Sequence, residues 1–197
     1  MKTVIIDNFD SFTYNLVHYI EEITSLRPTV YRNNAFDINC LEDFDIIVLS
    51  PGPGLPKNAG LLMQVIEKYY LHKIILGVCL GHQALGEFFG AKLKNLTKVF
   101  HGVDSEISEL NDTILFNNMT SPIVGRYHSW VIKQDSLPKS IKQTSVDSDG
   151  EIMSIKHIKL PIHGMQFHPE SILTPEGKKM LQNFFQFYAK PLIKIQK

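Results

Sequence analysis

Residues 75–90 read ILGVCLGHQALGEFFG. An apolar run ends at Val78, a cysteine follows between Gly77 and Gly81, and helical spacing begins at once. A strand that passes straight into a helix through small residues is the joint from which α/β sheets are built. The spacing predicts a strand over Ile74–Val78 and a helix from about Leu80 to Phe89.

Upstream the same unit recurs. Lys2–Ile6 is a β-branched run, and the turn after it leads into FTYNLVHYIEEI, where Phe12, Leu16, Ile20 and Ile23 follow helical spacing and Asp10 or Ser11 stands where a cap belongs. Pro28–Tyr31 reads as a second strand, Asp45–Leu49 (DIIVL) as a third buried on both faces, and Leu61–Leu71 as a helix. Strands alternating with helices predict an α/β fold, an open, mostly parallel sheet with helices on both faces. Ligands bind at the carboxyl ends of such strands. Three turns fall there: DNFDS (7–11), SPGPG (50–54) and GVCLG (77–81).

From about Leu93 to Gln166 the pattern changes to short runs such as TILF, YHSWVI and EIMSIKHI, with a DSDG turn at 147–150. These predict a small antiparallel extension. A last helix is expected to open at Thr174-Pro175 and run to about Ala189. No linker or repeat interrupts the chain, and 197 residues suit a single domain over 1–197.

Composition narrows the function. Twenty basic and twenty acidic residues give zero net charge, so no broad field would hold nucleic acid or an anionic membrane. No apolar run reaches the roughly 20 residues of a membrane span, and MKTVIIDNFD enters a strand without the shape of a signal peptide, which points to the cytoplasm. Cys40 and Cys79 are then expected as free thiols.

Cys79 sits where a nucleophile elbow would place it, at the start of a helix whose dipole favours a thiolate. From the elbow alone, a reactive thiol and a small buried hydrophobe are both open. A thiolate nucleophile needs a base. His168 closes GMQFHPES at another strand end, with Glu170 two positions on and able to orient the imidazole. Negative charge on a tetrahedral intermediate needs backbone N–H donors. Gly52 in SPGPG and Leu80 are the candidate pair, although SPGPG also reads as a plain tight turn.

Taken together, GVCLGHQ, SPGPG and HPES resemble the class I (triad) glutamine amidotransferases, from IDNFDSFTYNL at the start to QFHPESILT near the end. The opening and GRYHSW are similar to the small subunit of anthranilate synthase or of aminodeoxychorismate synthase. The resemblance implies hydrolysis of glutamine through a thioester on Cys79, with His168 as base and then acid, Glu170 orienting it, and Gly52 and Leu80 as the oxyanion hole. It also implies glutamine contacts from Gln83, Ser129 and Trp130, and ammonia delivered to a chorismate-binding synthase subunit. No cofactor is implied for this chain; in the family, magnesium belongs to the partner synthase subunit. The chain departs from the family at Trp130, where leucine is usual, and at Val103-Asp104, where lysine commonly follows His101-Gly102.

Three other readings compete. Cys79, His82, His163 and His168 could form a metal site, but they lack the close second ligand pair of structural zinc, and no metal is assigned. A non-catalytic regulatory subunit conflicts with the presence of cysteine, histidine and glutamate together. A γ-glutamyl hydrolase acting without a synthase is separated by whether activity depends on a second protein.

Overall fold

The computed structural model describes residues 1–189. The first half runs β1 (Thr3–Asp7), α1 (Thr13–Thr24), β2 (Thr29–Arg32), β3 (Ile46–Leu49), α2 (Leu62–Tyr69), β4 (Ile74–Val78) and α3 (Leu80–Phe88). The second half adds β5 (Leu93–Asn95), β6 (Val103–Glu106), β7 (Ile123–Arg126), β8 (Trp130–Ile132), β9 (Ile141–Val146), β10 (Ile152–His157), β11 (Ile162–Met165) and α4 (Gly177–Ala189).

Seven strands form one sheet in the order β2-β1-β3-β4-β11-β10-β9. The first five are mutually parallel, and β10 and β9 continue it antiparallel through the turn at Asp147–Gly150. β5 with β8 and β6 with β7 make two small antiparallel ladders. This is the expected α/β architecture, with one addition. β11 joins the parallel half directly beside β4, pairing Met165 with Val78, so the residues just past both strands emerge side by side.

Burial on both faces follows from alternation, since successive strand residues point to opposite sides. Ile46 and Val48 of β3 join a cluster with Leu16, Val17 and Ile20 of α1 and Phe184 of α4. Ile47 and Leu49 join Leu62 and Val65 of α2 and Ala84 of α3. Each such side chain taken fully out of water contributes about 1.5–3 kcal/mol, which explains why DIIVL carries no polar residue after Asp45.

Several local expectations are corrected. Neither Asp10 nor Ser11 caps α1; Asp7 Oδ1 gathers the Phe9 and Asp10 N–H groups and the Thr13 hydroxyl, and Asp10 Oδ1 accepts from Phe12 N–H. TILF is a turn rather than a strand, because Asp112 Oδ1 accepts from Ile114 and Leu115 N–H and curls the chain there. Of YHSWVI only Trp130–Ile132 is strand. Helix α4 begins at Gly177, and the Thr174 hydroxyl leaves the cap to accept from Gly125 N–H and donate to the His168 carbonyl.

Candidate active site

The three turns converge as the sheet topology requires. Asn8 N–H donates to Ser50 Oγ and Asn8 Nδ2 to the Ser50 carbonyl, both at 2.8 Å, tying the β1 turn to SPGPG. Gly52 packs so closely that a Cβ there would lie 2.5 Å from Asn8 Cβ and 2.9 Å from Leu80 Cδ2. A cavity of about 270 Å³ opens over this junction, lined by Gly52, Pro53, Gly54, Cys79, Gln83 and residues 127–130. That volume suits a small ligand.

Cys79 occupies the elbow with φ 51° and ψ −100°, a conformation that costs a non-glycine residue of order 1–3 kcal/mol. The strain therefore rests on the cysteine itself. Its glycine neighbours serve close packing instead: a Cβ on Gly77 would fall 2.5 Å from the Gly81 backbone, and one on Gly81 would fall 2.4 Å from the Leu49 carbonyl oxygen. Leu80 is the first residue of α3, where an N–H has no intrahelical acceptor. Cys79 is 5% exposed, Cys40 is half-buried, and both thiols are free.

His168 and Glu170 come together behind the thiol. His168 Nδ1 bonds Glu170 Oε1 at 2.6 Å, with both side chains almost wholly buried. The His168 backbone is fixed as well: its N–H donates to the Gly125 carbonyl at 3.0 Å and its carbonyl accepts from Thr174. Tyr127 and Phe12 set ring edges against the imidazole at centroid distances of 4.9 and 5.8 Å. Burial opposes a charge on His168, but the Cys79 sulfur and the Glu170 carboxylate outweigh it and raise the pKa well above the ordinary imidazole range. His168 Nε2 makes no hydrogen bond of ordinary length among the described residues. Catalytic hydrogen bonds commonly tighten only when substrate is bound.

The other buried imidazoles here behave oppositely. Burial drives His82 down to about 3, and burial with the nearby Arg126 charge drives His128 to about 3. His128 Nε2 accepts from Arg126 Nε at 3.2 Å, which leaves Nδ1–H to donate to the Trp130 carbonyl at 3.1 Å. His168 is thus the one imidazole of these three built to carry a proton.

Gln83 lines the cavity, and its Nε2 donates to the Trp130 carbonyl at 2.9 Å and to Gln166 Oε1 at 3.1 Å. Ser129 and Trp130 line it too, but the Ser129 carbonyl accepts from Leu96 and the Trp130 carbonyl from Gln83 and His128. Their carbonyls shape the wall rather than stand free.

Gln166 escaped the sequence reading although it lies in GMQFHPES. Its Nε2 donates to Cys79 Sγ at 3.7 Å, linking the thiol to Gln83. A buried glutamine after a strand carries no spacing signal that sets it apart. The metal alternative does not assemble as a set: His163 bonds Asp112 and Tyr188, and His82 packs against Gly164. Among the described residues, the metal-ligand atoms that do cluster, within 4.8 Å of one another, belong to Asp10, His168 and Glu170. No helix among the described residues is long and apolar enough to cross a membrane.

The chain is similar to known proteins in sequence and in fold. Residues 4–187 match the glutamine amidotransferase class-I family. The chain is 43% identical over 194 residues to the aminodeoxychorismate/anthranilate synthase component 2 of Bacillus subtilis, covering 96% of this chain and 98% of that one. It is 42% identical over 191 residues to anthranilate synthase component 2 of Pseudomonas aeruginosa, covering 93% and 94%. A solved glutamine amidotransferase from Thermotoga maritima superposes with a TM-score of 0.78 at 15% identity, over 97% of this chain and 99% of that one, which supports the fold.

Proposed function

Because the chain belongs to the class I glutamine amidotransferases, we propose that it is the glutaminase subunit of a chorismate-aminating synthase, working in the cytoplasm with a separate chorismate-binding subunit. The observation that carries this reading is the buried His168–Glu170 pair set beside Cys79 at the mouth of a cavity that Gly52 also lines. The names of the relatives support the partner, since both are component 2 of a synthase, one of anthranilate and one of aminodeoxychorismate or anthranilate.

In this reading the Cys79 thiolate attacks the side-chain carbonyl carbon of glutamine, and the C–O π electrons move onto oxygen. The N–H groups of Gly52 and Leu80 hold that oxyanion. His168, protonated and oriented by Glu170, gives its proton to the amide nitrogen as the C–N bond breaks, releasing ammonia and leaving a γ-glutamyl thioester on Cys79. Neutral His168 then takes a proton from water, which attacks the thioester; the second tetrahedral intermediate expels sulfur and glutamate leaves. Gln83 and Ser129 would orient the glutamine, Gln166 would steady the sulfur charge, and the Trp130 main chain would brace Gln83. The chain contributes no cofactor to this chemistry; magnesium would act on the synthase side.

The Gly52–Gly54 turn lines the cavity, and it would meet the partner together with the loop around Asp10–Thr13, whose Phe12 packs against Tyr127 of the cavity wall. Coupling would keep glutaminase turnover low in isolation and raise it in the complex. The test is to mix the purified chain with each chorismate-binding synthase from the same source, add glutamine and chorismate, and identify the amino product. Anthranilate, aminodeoxychorismate or both would support the reading and name the branch. Cys79→Ser should abolish the glutamine-dependent product while leaving the ammonium-dependent one. Product with ammonium salt alone, and none with glutamine and wild-type chain, would reject it.

A further inference from the structure

The loop between β1 and α1 touches the candidate triad at a point the reaction above leaves unused. Asp10 brings a carboxylate oxygen within 4.8 Å of both a His168 ring nitrogen and a Glu170 carboxylate oxygen. The loop holds it there. Asp10 Oδ1 accepts from Phe12 N–H at 2.8 Å, the Asp10 N–H reaches Asp7 Oδ1 at 3.4 Å, and the Asp10 carbonyl accepts from Thr13 N–H at 3.3 Å. Phe12, two residues on, is the residue whose ring packs edge-on against His168.

Two carboxylates therefore flank one imidazole. Glu170 Oε1 takes the Nδ1 bond at 2.6 Å, a separation bridged by a proton rather than by an ion. Glu170 Oε2 is buried without a hydrogen-bond partner among the described residues. The groups that face His168 are Cys79 from the start of α3, Glu170 from its own segment, Asp10 from the β1–α1 loop, and Tyr127 and neutral His128 from the segment between β7 and β8. Arg126, at the end of β7, is paired with Asp147 at 2.6 Å. An anion beside an imidazole favours the imidazolium.

We propose that Asp10 is a positioning residue of the reaction, a second anionic partner that acts through His168 and favours the protonated ring needed to deliver a proton to the leaving nitrogen. This rests on the glutaminase reading above. It also makes the β1–α1 loop a route by which a protein docked on its outer side would change His168 without touching it, because Phe9 and Ser11 of that loop face solvent while Asp10 and Phe12 face the site.

Two variants separate charge from turn. Asp10→Asn keeps an oxygen for the Phe12 N–H and removes the charge; Asp10→Ala removes both. His168 is followed by NMR of ring-labelled histidine, its signal assigned by its loss in His168→Asn, and glutamine hydrolysis is measured against pH in the complex with the synthase. Both variants should lower the His168 titration midpoint by about half to one pH unit, and the alkaline limb of kcat should move down with it. Wild-type titration in Asp10→Asn with impairment confined to Asp10→Ala would reduce Asp10 to a turn residue and overturn the proposal. Wild-type titration in both would overturn it too. Failure of the glutaminase reading itself looks different: the wild-type complex would release no ammonia from glutamine at any pH.

Discussion

Replacing Gly177 by alanine should damage the active site from the far end of the catalytic segment. Gly177 opens α4 against the backbone of Pro169, the residue between His168 and Glu170. An added Cβ would lie 1.9 Å from the Pro169 carbonyl oxygen and 2.6 Å from its carbonyl carbon, where ordinary contact begins at 3.4 Å. The obstacle is backbone on both sides, so no rotamer change relieves it, and either α4 or the His-Pro-Glu segment must shift by more than an ångström. Overpacking of this kind costs about 1–3 kcal/mol, and the rigid contact argues for the upper end. At roughly 2–4 °C per kcal/mol for a chain of this size, Tm should fall by about 6–12 °C. A 1 Å misplacement of reacting groups costs on the order of 100-fold, so glutamine hydrolysis should fall by about that factor if the catalytic segment gives way. Thermal unfolding followed by circular dichroism and ammonia release in the complex read the two effects. A variant that keeps both wild-type Tm and wild-type turnover would refute the packing argument.

Three further outcomes are expected. Glu170→Gln replaces an anion by an amide that cannot stabilise the imidazolium, yet it spares nucleophile and base; it should retain roughly 50-fold more activity than His168→Ala, as orienting residues do in other triads, and equal losses would count against the orienting role. Stability should decline from pH 7 to pH 5. His82 and His128 stay neutral in the fold down to about 3, whereas in the unfolded chain they take up protons near 6.5, so acid favours unfolding by of order 4 kcal/mol for the pair across that window. His168, raised instead, contributes fully below about 6.5 and progressively less as pH climbs from there through its folded value, which offsets a small part of that loss. Urea unfolding at the two pH values reads this, and a flat profile would show that the two rings are not buried neutral. Gln166→Leu should lower kcat for glutamine more than it lowers Tm, since it removes the donor to Cys79 Sγ and the partner of Gln83 while preserving bulk; a loss confined to Tm would mean that Gln166 is only packing.

The first half of the fold was legible because β3 and β4 are apolar throughout and the helices keep their period. DIIVL and IILGV admit no other economical reading, and β3 and β4 fall where their sequences place them. The second half was less so. TILF is apolar because Leu115 and Phe116 are buried, but burial alone does not make a strand, and the Asp112 carboxylate bends the chain into a turn. Nothing local marks β11 as the neighbour of β4, since that pairing joins residues far apart in sequence. At the site, Cys79, His168 and Glu170 stood out through the resemblance and strand-end positions. Gln166 and Asp10 did not, because their roles depend on what the folded chain brings beside them. The glycines of the elbow let α3 lie against the sheet, and the sharp turn is taken by Cys79 itself.

The most direct test of the central claim is rapid acid quenching of the complex during glutamine turnover, followed by mass spectrometry of its peptides. A γ-glutamyl group, glutamine less ammonia, is expected on the peptide that contains Cys79, absent from the Cys40 peptide and absent in Cys79→Ser. Turnover that leaves Cys79 unmodified, or a Cys79→Ser complex that still makes product from glutamine, would contradict it.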